Sequence, residues 1–113
     1  MLHSFTAIIL YTEGSMIVVR NVFQLKFGKA KDAKVLIKEF HGLMKKYGHA
    51  PSRFMTDLTG EFYTLEMETS YDTLAAYEKS SEDETGAKEF GDWYGKFVPL
   101  VQSGHREIFN ILD

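Results

Sequence analysis

The stretch "MIVVRNVFQLKFGKAKDAKVLIKEF", residues 16–40, decides the fold, because the hydrophobic period changes once inside it. Ile17, Val19, Asn21, Phe23 and Leu25 alternate with Val18, Arg20, Val22 and Gln24, and the β-branched and aromatic content reads as a strand. Gly28 breaks the run. From Lys31 the apolar positions become Ala33, Leu36 with Ile37, Phe40, Leu43 with Met44, and Tyr47. That 3.6-residue period predicts a helix ending at Gly48, with Lys45 and Lys46 complementing the dipole in its last turn. A glycine flanked by lysines also invites a phosphate-cradle reading. A Walker loop needs a longer glycine-rich run closing on Gly-Lys-Ser/Thr, and a dinucleotide loop needs three spaced glycines. "FGKAKD" has neither, so Gly28 is a corner between strand and helix.

Working outward, "SRFMTDL" (52–58) reads as a short strand and Thr59-Gly60 as the turn into a stronger one, "EFYTLEMET" (61–69). That strand places Tyr63, Leu65 and Met67 on one face and Phe62, Thr64 and Glu66 on the other. Ser70 is the expected N-cap of a helix over "SYDTLAAYEKS" (70–80), with Leu74 and Tyr77 inward. A further helix opens at Thr85 or Gly86 and turns Ala87, Phe90, Tyr94, Phe97 and Val101 inward. Gly104 ends that segment, and "HREIFNIL" (105–112) closes as a strand. At a constant offset of 40 residues, "FQLKFGKAKDAKVL" (23–36) lies on "YTLEMETSYDTLAA" (63–76), matching Phe23 with Tyr63, Leu25 with Leu65 and Asp32 with Asp72. The order βαββα(α)β and the two similar halves predict an α+β, ferredoxin-like antiparallel sheet with its helices on one face.

A chain of 113 residues with 44% hydrophobic content, nine Phe and six Tyr is one domain with ample material for a core. Net charge is −3. The lysines at 29, 31, 34, 38, 45 and 46 are interrupted by Asp32 and Glu39, which argues against a nucleic-acid groove. The absence of cysteine excludes disulfides, thiolate metal sites and cysteine nucleophiles. "MLHSFTAIILYTEGS" (1–15) has no Lys or Arg ahead of an apolar run too short for a signal peptide or a membrane span, so a soluble, cytoplasmic protein is expected.

A sheet with helices on one side must have its other face polar or covered. Val18, Val22, Phe62 and either Ile108 or Phe109 are expected on that face, an apolar patch that a second copy would cover. The predicted assembly is a homodimer whose two sheets close into a barrel.

"MIVVRNVFQLKFGKAKD" (16–32), "KKYG" (45–48), "YDTLAAYE" (71–78) and "WYGKFVPLVQSGHREIFNIL" (93–112) together resemble the NIPSNAP-like group of the dimeric α/β-barrel superfamily. The resemblance implies a ferredoxin-like domain over residues 16–113 that dimerises through its sheets. Residues 1–15 precede the point where such a domain opens and are expected to form an added arm, with "FTAIILY" at a sheet edge or on the partner. The superfamily includes antibiotic biosynthesis monooxygenases, which oxidise aromatic substrates without metal or flavin. Hence no cofactor is implied, and no list of catalytic residues comes with the resemblance.

A ligand pocket is expected between sheet and helices. Its candidate residues are Asn21 and Tyr63 on strands, His41 on the first helix, Trp93 or Tyr94 on the last, and His105 entering the final strand. Asn21 stands out because a polar group in an apolar row needs a partner: a side chain, a water or a ligand. The others also have structural readings, with His41 and His105 at boundaries and Trp93 and Tyr94 in the core. His49 follows a helix-ending glycine and is expected in solvent. His41 and His49 are too far apart in sequence for a helical metal pair, and no metal site is expected. No histidine is singled out for haem. Glu66 and Glu68 share a strand face, where Arg20 or Arg106 would pair with them structurally. The functional expectation is a ligand-binding homodimer. The alternatives are a cofactor-free monooxygenase or isomerase using Asn21, His41 and Tyr63 to orient or exchange protons, and a structural dimer without ligand.

Overall fold

The computed structural model describes residues 16–112; the arm expected over residues 1–15 and the final residue lie outside the described residues. Strand β1 (Ile17–Leu25) leads into helix α1 (Ala30–Lys46), strand β2 (Ser52–Thr56) and strand β3 (Thr64–Tyr71). Helices α2 (Leu74–Glu82) and α3 (Ala87–Phe97) follow, then a 3-10 turn (Val98–Leu100) and strand β4 (Val101–Asn110). The strands form one antiparallel sheet in the order β2-β3-β1-β4. This is the predicted ferredoxin-like α+β architecture.

Register assigns the faces. Phe23 lies opposite Leu65 and Gly104, and Asn21 opposite Met67 and Arg106, so these residues share the helix side with Ile17, Val19 and Leu25. The core gathers Leu25, Ala33, Leu36, Leu65, Trp93, Phe97 and Leu100 between that side and the helices, with Leu65 0% exposed. Phe23 stacks edge-on against Phe97 at 5.1 Å and lies across Gly104. A Cβ at Gly104 would stand 3.0 Å from the Val22 carbonyl oxygen. Gly104 lies within β4, which begins at Val101 rather than after the glycine as expected.

Several local expectations shift for identifiable reasons. Ser70 does not cap α2, because the ladder opposite Val18 holds it in β3. Thr73 caps instead, its hydroxyl accepting from the Ala76 N–H at 3.0 Å, and Leu74 is exposed. Phe62 and Tyr63 precede β3: the Asp57 carboxylate accepts from the Thr64 N–H at 2.8 Å, closing a wide loop in place of a tight turn at Thr59-Gly60. Tyr63 there takes a left-handed φ of 59°, and its carbonyl accepts from the Leu25 N–H. Helix α3 is rotated from the expected stripe, burying Trp93 and Phe97 while Tyr94 is 62% exposed.

The helix-free face also departs from expectation. Val18, Val22 and Phe109 are on it, but Phe62 lies off the strand, and Ile108, opposite Val19, is on the helix side. Its centre is charged rather than apolar. Arg20 grips Glu66 through Nε and Nη2, both at 2.7 Å, and donates from Nη1 to Glu107 at 2.9 Å, while Arg53 holds Glu68 at 2.8 Å. The expected pairing of Arg20 with the β3 carboxylates is present. Arg106 is not part of it, since it projects from the other face.

Candidate functional site

The site is built where the end of α1 meets the start of α3. Helix α1 stops in the pair of hydrogen bonds characteristic of a glycine cap: the Gly48 N–H donates to the Lys45 carbonyl at 3.3 Å, and the His49 N–H donates to the Met44 carbonyl at 3.0 Å. Gly48 supplies the left-handed φ of 68° that this requires. The residue after such a glycine folds back on its own helix, so His49 packs inward, its ring edge-on to Phe90 at 5.3 Å. The preceding residue, Tyr47, clamps the two helices together. Its hydroxyl donates to Glu89 at 2.6 Å, joined by Lys46 at 2.9 Å, and its bond holds the Glu89 carboxyl below the usual range. Gly86, at φ 76°, lies against the Tyr47 ring, where a Cβ would stand 2.6 Å from Cδ2.

These contacts leave a cavity of about 280 Å³ between the sheet and the three helices. Phe40, Met67 and Phe90 supply apolar wall, Tyr71 and Tyr77 a second aromatic wall with rings 5.3 Å apart, and Ser80, Ser81, Asp83 and Thr85 a polar rim. Thr69 also lines it and is satisfied by Ser52 at 2.6 Å. Asp83 is kept below the ordinary carboxylate range by its bonds with Thr85, whose N–H donates at 2.9 Å, so the rim carries negative charge near neutral pH. Imidazole His49 lines the cavity, and its Nε2 is buried with no hydrogen-bond partner. Among the described residues it is the buried side-chain polar atom left in that condition.

The six residues expected to share a pocket lie in separate places. Asn21 is half-buried on the helix side, and its Oδ1 accepts from Arg106 Nε at 2.8 Å, so its partner is a side chain. His41 is exposed on α1, resting edge-on against Phe54 at 5.2 Å. Tyr63 lines a different depression with Phe27, Phe62 and Lys34. Trp93 is core: its Nε1 donates to the Leu36 carbonyl at 2.6 Å, and its ring stacks on Phe97 at 4.9 Å. Tyr94 points to solvent. His105 lies on the helix-free face, with Nε2 3.7 Å from Glu107. The residue that sequence reasoning missed is His49, and the signal was present: position 49 directly follows a cap glycine, where the chain turns back onto the helix. Among the described residues no three His, Asp or Glu side chains gather where a metal ion could be held.

The arrangement defines a class first: a ferredoxin-like sheet with one helical layer and, between them, an open cleft with aromatic walls and a polar rim. Solved structures then place the fold more closely. A NIPSNAP-like domain protein from Burkholderia xenovorans superposes with a TM-score of 0.76 at 14% identity, over 88% of this chain and 87% of its own. A NIPSNAP family protein from Agrobacterium tumefaciens gives 0.70 at 17% identity, over 88% and 89%. A dimeric ferredoxin-like protein from Thermobifida fusca gives 0.65 at 13% identity, over 90% and 96%. The fold is that of the NIPSNAP proteins. No protein-family model and no curated protein matches the sequence.

Proposed function

We propose that the chain is a cytoplasmic homodimer that binds a small, largely apolar aromatic ligand in the cavity between sheet and helices. The observation that carries the reading is the cavity itself: aromatic walls from Phe40, Phe90, Tyr71 and Tyr77, with His49, whose buried Nε2 has no partner, among the lining residues. Buried polar atoms are almost always paired, and small-molecule sites combine apolar walls with a few placed polar groups. A cleft of about 280 Å³, open to solvent on one side, has room for a single aromatic ring. Binding rather than turnover is the reading, because Asn21, His41 and Tyr63 line no common space in which to pass a proton.

Dimerisation draws support from the dimeric Thermobifida relative and from the charge pairing on the helix-free face. Arg20 and Arg53 already meet their carboxylates within the chain, so a second sheet could cover Val18 and Phe109 without stranding a charge. Light scattering at micromolar concentration should give twice the 13.0 kDa chain mass, and a monomer mass would end the dimer reading. Ligand binding is tested by thermal shift with single-ring aromatics. A compound at about a hundred times its Kd adds roughly 2.7 kcal/mol of stability, raising the midpoint by several degrees. A midpoint unmoved by the whole set would leave a structural dimer.

A further inference from the structure

We infer that His49 sets the specificity of the cavity, selecting a neutral single-ring compound that carries a hydroxyl group, a phenol in chemical class. The inference rests on the cavity being the ligand site.

Phe40, Met67 and Phe90 give the walls their apolar surface and Thr69 is bonded to Ser52, while the hydroxyls of Tyr71, Tyr77, Ser80, Ser81 and Thr85 are among the lining's other polar groups. Among the described residues that line the cleft, His49 holds the buried polar atom with an unmet bond, at Nε2. That atom is sealed in the free chain. Meeting a ligand therefore requires a turn about the soft χ2 torsion, against the edge-on contact with Phe90. A neutral imidazole nitrogen is a donor in one tautomer and an acceptor in the other. A hydroxyl satisfies both, whereas a carbonyl or ether satisfies one. The ligand's charge is limited by the rim, where the ionised Asp83 shares the cavity lining with His49. The adjoining depression repeats His49, Tyr71, Ser80 and Asp83 and adds Glu82 and Lys79, so the approach carries two carboxylates against one ammonium. An anionic ring is disfavoured there.

The test compares three probes of nearly equal shape on the full chain by titration calorimetry: p-cresol, toluene and p-toluate. The expected order is p-cresol tightest, toluene weaker by about tenfold, the scale of one buried hydrogen bond left unmade, and p-toluate weakest. His49→Phe should erase the p-cresol preference, while His49→Gln, which keeps a polar atom near the position of Nε2, should retain part of it. Toluene binding the unaltered protein as tightly as p-cresol would overturn the inference while leaving the cavity as a ligand site, and needs no variant to fold. A p-cresol preference surviving in His49→Phe would overturn it equally. If none of the three binds, this inference and the ligand-binding reading both fall.

Discussion

Asn21 and His49 show how far a residue's role depends on its neighbours. Asn21 interrupts an apolar row, which in sequence marks it as a site candidate. The register instead puts Arg106 directly opposite, and the guanidinium Nε supplies the missing partner at 2.8 Å. Such a half-exposed bond contributes little net stability. Asn21→Leu is therefore expected to change unfolding stability by no more than about 1 kcal/mol and to leave any ligand-induced midpoint shift intact. Calorimetry of the variant with and without an aromatic ligand checks this, and loss of the shift would put Asn21 in the site. His49 is the reverse case: unremarkable in sequence, it holds the buried nitrogen without a partner. Its orientation was partly legible, since Gly48 was readable as a helix-ending glycine and the turn it makes aims the next residue inward. That Phe90, 41 positions along the chain, would meet the ring there was not legible.

At the scale of elements, the joint between α1 and α3 shapes the cavity. Tyr47 stands between them, bonded to Glu89 and pressed on Gly86. Gly86→Ala should cost on the order of 1–3 kcal/mol, because the residue must keep a left-handed φ and its Cβ would strike backing ring carbons. Chemical denaturation gives the number, and a variant as stable as the parent would show that the joint yields freely. The strand β1 and helix α1 were readable because their periods, 2.0 and 3.6, are properties of consecutive residues. The onset of α2 and the rotation of α3 were not. Ser70 and Thr73 are equal as caps on paper, and pairing with β1 decides between them by holding Ser70 in the ladder. Likewise Trp93 rather than Tyr94 turns inward, where its indole N–H finds the Leu36 carbonyl.

For the whole molecule, the charged centre of the helix-free face makes stability depend on pH. The two-pronged bond from Arg20 depresses the Glu66 carboxyl to about 2, with burial opposing. A depressed carboxylate stabilises the folded state above its unfolded value, about 4.3 for a free glutamate, and that stabilisation is lost as pH falls through the folded value. The thermal midpoint should therefore drop between about pH 4.3 and about pH 2. Glu66→Gln should start from a lower midpoint at neutral pH and show a shallower decline through that window. Parallel curves for the two proteins would remove Glu66 as a source of the acid sensitivity.

Sequence alone determined the order of strands and helices, the corner at Gly28 and the ferredoxin-like class, because alternation, helical period and glycine breaks are local and survive without knowing what packs on what. Tertiary structure decided the two matters that concern function. It chose Arg20 rather than Arg106 as the partner of the β3 carboxylates and set it between Glu66 and Glu107. It also brought His49, Met67, Tyr77 and Phe90 around one cavity. Both depend on register and on the angle of helices to sheet, which are fixed by contacts between residues distant in the chain and leave no periodic trace within any single segment.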